Sequence, residues 1–194
     1  MFRRRPHFGV LACILSLAVA ISAWAADSSG LHQVPKLSGW VNDTAKVLTE
    51  ADRERLTKML SDYHEETHHQ IVLLTIATLG GERIEAFSLR TATAWGLGYK
   101  NIDNGILVTL SMKERKMRIE LGKGMERFIS DSDAKAILDT DMTPAFSKGD
   151  FYGGLRKGLL HLMDEGRRFV VPAGSITSQS PKARVGDPRP GDGL

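Results

Sequence analysis

The chain has 194 residues, with 26 Lys and Arg against 23 Asp and Glu. All three excess positive charges are Arg3, Arg4 and Arg5, so the remainder is balanced and offers no basic surface for nucleic acid. The one cysteine, Cys13, lies in the same N-terminal stretch, which leaves the rest without disulfides or a thiol nucleophile.

Residues 1–25 read as a secretory signal: the three arginines, an apolar run from Val10 to Ile21, and Ala23-Trp24-Ala25 as a small-x-small cleavage site. The run is short for a spanning helix, which needs about 20 apolar residues. Cleavage predicts a periplasmic or secreted protein with no transmembrane span; retention of the segment as an N-terminal anchor is the alternative. Residues 26–38 follow as a linker, 39–169 as one domain, and 170–194 as a tail rich in Pro, Gly, Ser and basic residues that is expected to be disordered.

Within the domain, Thr49 and Asp52 make a capping arrangement before Leu56, Met59, Leu60 and Tyr63, which predicts a helix ending near Thr67. The β-branched, apolar run from Gln70 to Thr78 reads as a buried strand, broken by Gly80-Gly81. Ile84 to Trp95 has helical spacing. Gly105 to Met112 is a second apolar strand, Lys113-Glu114-Arg115 a turn, and Lys116 to Leu121 an antiparallel partner with one wet face. Ser130 or Asp131 caps a third helix expected to stop before Pro144, and Phe151 to Phe169 gives a fourth. The order αβαββαα predicts a parallel βαβ unit plus a hairpin. Covered on both faces, that small mixed sheet makes a three-layer α/β/α sandwich.

The best site candidate is Asp103-Asn104-Gly105, at the mouth of the second strand after a loop containing Gly96 and Gly98. A carboxylate beside an amide oxygen is a hard ligand pair suited to Ca²⁺ or Mg²⁺, although Asn-Gly is also ordinary turn chemistry. Asp43 is a second carboxylate, between the entry segment and the first helix. Asp131 is a third acidic position that helix capping also explains. Glu126, after Gly122-Lys123-Gly124, either faces the same cleft or lies on the surface.

Trp95 to Tyr99, Asp103 to Gly105, Gly122 to Glu126, Val41 to Leu48, and Pro144 to Tyr152 together resemble the TPM domain family, over roughly residues 39–166. Members are exported bacterial and thylakoid-lumen proteins often labelled phosphatases. The resemblance implies a divalent-cation site involving Asp43, Asp103 and Asn104, with Asp131 at a further acidic position. It also implies a role beside an envelope or membrane protein complex. Lys123 departs from the family, which often has an aromatic residue between these glycines.

Two functional expectations result. The first is a Ca²⁺- or Mg²⁺-binding accessory module in envelope protein maintenance; the second is a metal-assisted acid phosphatase. A remote third is a zinc peptidase, because His64-Glu65-Glu66-Thr67-His68 fits HExxH, though no third ligand is evident. Asp139-Thr140-Asp141-Met142-Thr143 fits a phosphatase nucleophile loop, but its preceding residues have helical spacing rather than those of a buried strand.

Overall fold

The computed structural model describes residues 31–171. The expected signal, the first part of the linker and the tail beyond Val171 lie outside them. Residues 32–38 carry no regular structure but are anchored. The His32 ring is 5.9 Å from Phe87, the His32 carbonyl accepts from Arg90 at 2.6 Å, and the Pro35 carbonyl accepts from Trp95 Nε1 at 2.8 Å. This stretch serves as part of the domain's packing rather than as a spacer.

The elements run β1 (Val41–Asp43), α1 (Glu50–Thr67), β2 (Gln70–Ile76), α2 (Ile84–Trp95), β3 (Gly105–Ser111), β4 (Lys116–Leu121), α3 (Asp131–Ile137), α4 (Thr143–Phe146) and α5 (Phe151–Gly166). Strand order is β1-β2-β3-β4, with the first three parallel and β4 antiparallel to β3. The expected βαβ unit and hairpin are present. The addition is β1, whose three residues are too few to show a strand period.

Helices α1, α3 and α5 begin where the sequence supplies a capping side chain. Thr49 accepts from the Asp52 amide at 3.2 Å, Ser130 and Asp133 form a reciprocal capping box, and Asp150 accepts from the Gly153 amide at 2.8 Å. Replacing such a cap by alanine costs about 1 kcal/mol. Leu56, Leu60 and Tyr63 of α1 and Leu155, Leu159 and Leu162 of α5 are buried at helical spacing.

All seven residues of β2 and of β3 are buried, as a sheet covered on both faces requires. Ser88 of α2 donates to Thr109 of β3 at 2.9 Å, which places α2 on the Thr109 face. Leu74 sits opposite Thr109, so Thr75 turns to the other face. There its hydroxyl meets Asp43 and the Ala45 amide, on the path into α1. Arg167, just past α5, joins that layer by donating to Glu66 of α1 at 3.1 Å.

The third helix ends at Ile137, before Pro144, but the helical path of the chain does not stop there. After Ile137 the chain takes one wide turn, Leu138–Met142, in which the Thr143 amide reaches back five residues to the Leu138 carbonyl. It then continues into α4 with Pro144 in the first turn. Proline has no N–H for the carbonyl four residues back, so Thr140 O is left open, and Lys157 Nζ approaches it at 3.5 Å.

Candidate functional site

The glycine-rich segments meet at the amino ends of β2 and β3. The Gln70 side chain accepts from the Gly98 amide at 2.7 Å, and the Gly105 carbonyl accepts from the Gly122 amide at 2.8 Å. The Asp103 carbonyl accepts from the Gly124 amide at 3.0 Å. A methyl group on Gly122 would stand 2.1 Å from the Asp103 oxygen, and one on Gly124 would stand 1.9 Å from the Ile102 oxygen. The block is therefore a junction of three loops in backbone contact. Lys123 and Glu126 are exposed around it, which for Glu126 is the surface reading.

Asp103 has a left-handed backbone, φ 51°, and donates its amide to Tyr99 O at 2.8 Å. Its carboxylate is exposed and has no hydrogen-bond partner among the described residues. Asn104 is the opposite case, fully buried with both ends of its amide hydrogen-bonded. Its Oδ1 accepts from the Tyr99 amide at 3.0 Å, and its Nδ2 donates to the His68 carbonyl at 2.9 Å. Those backbone groups fix which way the amide points.

The same Nδ2 lies 3.3 Å from His69 Nδ1, which must therefore be the acceptor nitrogen. His69 Nε2 then carries the proton and donates to Phe169 O at 2.8 Å. Sequence reasoning missed His69 and Gln70. The available signal was three polar residues (His69, Gln70 and Asn104) at the heads of two otherwise apolar strands.

The expected ligand set is not assembled. Asp43 is opposite Thr75, and Thr75 is opposite Leu110, so Asp43 lies at the carboxyl end of the parallel strands. Asp103 precedes Gly105 at the other end. At about 3.3 Å per residue they are roughly 20 Å apart, and no single ion spans them. Asp43 is also occupied: it accepts from the Val47 amide at 3.1 Å, the Leu48 amide at 3.0 Å and the Thr75 hydroxyl, closing the turn into α1. Asp131 sits at the start of α3 with Arg118 3.7 Å away. Asn104 Oδ1 is buried and already accepts from the Tyr99 amide. Among the described residues, no three His, Cys, Asp or Glu side chains are grouped to hold a metal.

The two sequence motifs are also redrawn. His68 is the left-handed cap of α1, φ 60°, Glu65 is exposed, and among the described residues no third His, Cys, Asp or Glu is grouped with the two histidines as a peptidase zinc site requires. Asp139-Thr140-Asp141 lies in the wide turn after α3 and follows no strand. Asp139 pairs with exposed Lys135. Asp141 is buried and accepts from His161 Nδ1 at 2.6 Å and Lys157 Nζ at 3.0 Å, fastening that turn to α5.

Burial holds the pKa of both His64 and His69 below the ordinary value. The unfolded chain protonates these rings below about pH 6.5, whereas the folded chain resists. Their contribution is thus complete above that pH and is lost as pH falls toward the folded values. The melting temperature is expected to drop between about pH 7.5 and pH 5.5, before carboxylates titrate. His69→Gln keeps one donor and one acceptor but cannot titrate, and is expected to flatten that slope. An unchanged slope in thermal melts would contradict the burial of a neutral His69 as its source.

Comparison with known proteins is consistent with this geometry. The family model described as the TPM domain matches residues 41–165. The N-terminal domain of a protein from P. gingivalis, solved by NMR, is 28% identical, over 66% of this chain and 82% of that one, with a TM-score of 0.62. The BA42 protein of the psychrophilic bacterium Bizionia argentinensis is 16% identical, over 68% of this chain and 90% of that one, with a TM-score of 0.57. The N-terminal domain of the cg2496 protein of Corynebacterium glutamicum is 17% identical, over 75% and 93%, with a TM-score of 0.51. The latter two share the fold. No curated protein matches the chain.

Proposed function

The chain belongs to the TPM domain family, and from that premise we propose that it is a divalent-cation-binding accessory module of the cell envelope. Ca²⁺ or Mg²⁺ is taken at Asp103, beside a surface that engages another envelope protein. The observation that carries this reading is the state of the Asp103 carboxylate. It is exposed and free of partners among the described residues, on a backbone held by Tyr99 O and the Gly124 amide. A hard cation accepts one carboxylate and keeps waters in its other positions, which fits Mg²⁺ best and implies weak binding.

Supporting the envelope setting are the signal-like N-terminus, the charge balance of the remainder and its lack of cysteine. No described helix is long and apolar enough to cross a membrane.

The test is a thermal melt of the chelated protein titrated with Mg²⁺ and, separately, Ca²⁺. A tenfold excess over Kd stabilises the folded state by about 1.4 kcal/mol, a rise of a few degrees. Asp103→Asn tolerates the left-handed backbone and removes the charge, so it is expected to abolish the rise without lowering the starting melting point. A rise that survives Asp103→Asn places the ion elsewhere and overturns the reading.

The phosphatase alternative needs a general base near the ion, and the described residues bring no imidazole within hydrogen-bonding distance of Asp103. The carboxylate–imidazole pair that is present, Asp141–His161, belongs to the turn before α4 and to α5. Phosphomonoester turnover that disappears in Asp103→Asn would favour the enzyme instead.

A further inference from the structure

We infer that the end of α1 holds a binding site for a borderline transition-metal ion, Zn²⁺ or Cu²⁺, formed by the imidazoles of His64 and His68. This site is separate from Asp103 and does not rest on the cation reading above.

His64 is prepared as a ligand. Its Nδ1 donates to the His69 carbonyl at 2.9 Å, which fixes the tautomer and leaves the Nε2 lone pair free. A backbone carbonyl on the far nitrogen is the support that metal-bound imidazoles ordinarily have. The ring is held on two sides, with centroids 4.9 Å from Trp40 and 6.3 Å from Tyr99, nearly parallel to the latter at 16°. Nε2 has no partner among the described residues, and it is not among the buried side-chain atoms that lack one. It is therefore open to solvent.

His68 supplies the second imidazole. Its side chain is exposed, while its backbone is pinned by the left-handed cap and by Asn104 Nδ2 on its carbonyl. The two ring centroids are 6.3 Å apart, with planes at 83°. A zinc ion about 2.0–2.1 Å from each nitrogen puts two ring centres about 5.2 Å apart in tetrahedral geometry. Closing the remaining gap of about 1 Å takes one side-chain rotation of exposed His68.

The setting favours a cation, because the carboxyl end of α1 carries the negative end of the helix dipole. Imidazole selects Zn²⁺ and Cu²⁺ over Ca²⁺ or Mg²⁺. With two protein ligands the other positions belong to water, so the site binds without the geometry of a peptidase. HExxH thus keeps its two histidines as ligands and loses its glutamate.

The experiment is calorimetric titration of the full chain with Zn²⁺ at about pH 7.5. It is paired with electron paramagnetic resonance of the Cu²⁺ form, which counts coordinated nitrogens. One ion per chain with two imidazole nitrogens is expected. His68→Gln is expected to weaken binding at least tenfold and to remove one nitrogen. Its exposed side chain makes this change safe for the fold, so the test stands even if His64→Gln proves unstable. His161→Gln and Asp103→Asn are expected to leave zinc affinity unchanged. Unchanged affinity in His68→Gln, or an equal loss in His161→Gln, overturns the assignment. Failure of the magnesium response in Asp103→Asn with zinc binding intact would separate the two sites.

Discussion

Gly124→Ala is expected to destabilise the domain by about 3 kcal/mol and to lower its melting temperature by about 10 °C. The added methyl would stand 1.9 Å from the Ile102 carbonyl oxygen, well inside van der Waals contact. The neighbours cannot yield cheaply. The Ile102 and Asp103 amides both donate to Tyr99 O at 2.8 Å, and Asp103 O is bonded to the Gly124 amide itself. Relief therefore means parting the loop before β3 from the loop after β4. Gly39→Ala is the matched control, with nothing within 4 Å of the added carbon, and is expected to stay within about 0.5 kcal/mol of the parent. Urea titration of the two variants measures the difference. Equal midpoints would show that the loops are not in the contact described. Gly122 and Gly124 are therefore first a packing requirement of this chain.

How far the sequence revealed this depends on the kind of signal. Helices α1 and α5 were readable because capping side chains and buried leucines at helical spacing agree on the same span. Strands β2 and β3 were readable because burial on both faces writes an unbroken apolar run. Strand β1 is three residues long and its evidence is entirely tertiary, namely a ladder with Leu73 to Thr75. Pro144 suggested a stop because proline lacks a donor. The chain answers by lengthening one turn, a choice that depends on α5 packing beside it through Gly158, whose added carbon would stand 2.3 Å from Met142. Within the candidate site, residue types were legible but their sharing was not. Asp43 and Asp103 are alike in sequence, yet the strand register sends them to opposite ends of the sheet. Nothing local to either residue carries that information.

Asn104 gives the sharpest separation between a ligand and a structural residue, because its two roles predict opposite results. As a cation ligand, Asn104 would be improved by conversion to aspartate, which adds charge at the same place. As the buried bridge described above, Asn104→Ala strands the Tyr99 amide, the His68 carbonyl and His69 Nδ1 together. At about 1–3 kcal/mol for each unsatisfied buried group, a loss of 3 kcal/mol or more is expected. Asn104→Asp is more informative. One oxygen still accepts from Tyr99, but the other faces the His68 carbonyl and His69 Nδ1 where a donor stood. That repulsion eases if His69 takes a proton, so the variant's folded-state His69 pKa rises instead of falling. Its stability contribution is then present below the unfolded value of about 6.5 and is lost as pH rises through the folded value. Wild type is expected to lose stability as pH falls through that range; in Asn104→Asp the His69 contribution changes sign while that of His64 stays, so the slope is expected to be shallower or reversed. Such a change in slope confirms the bridge. Parallel slopes, with tighter Ca²⁺ or Mg²⁺ binding in the aspartate variant, would return Asn104 to the ligand set.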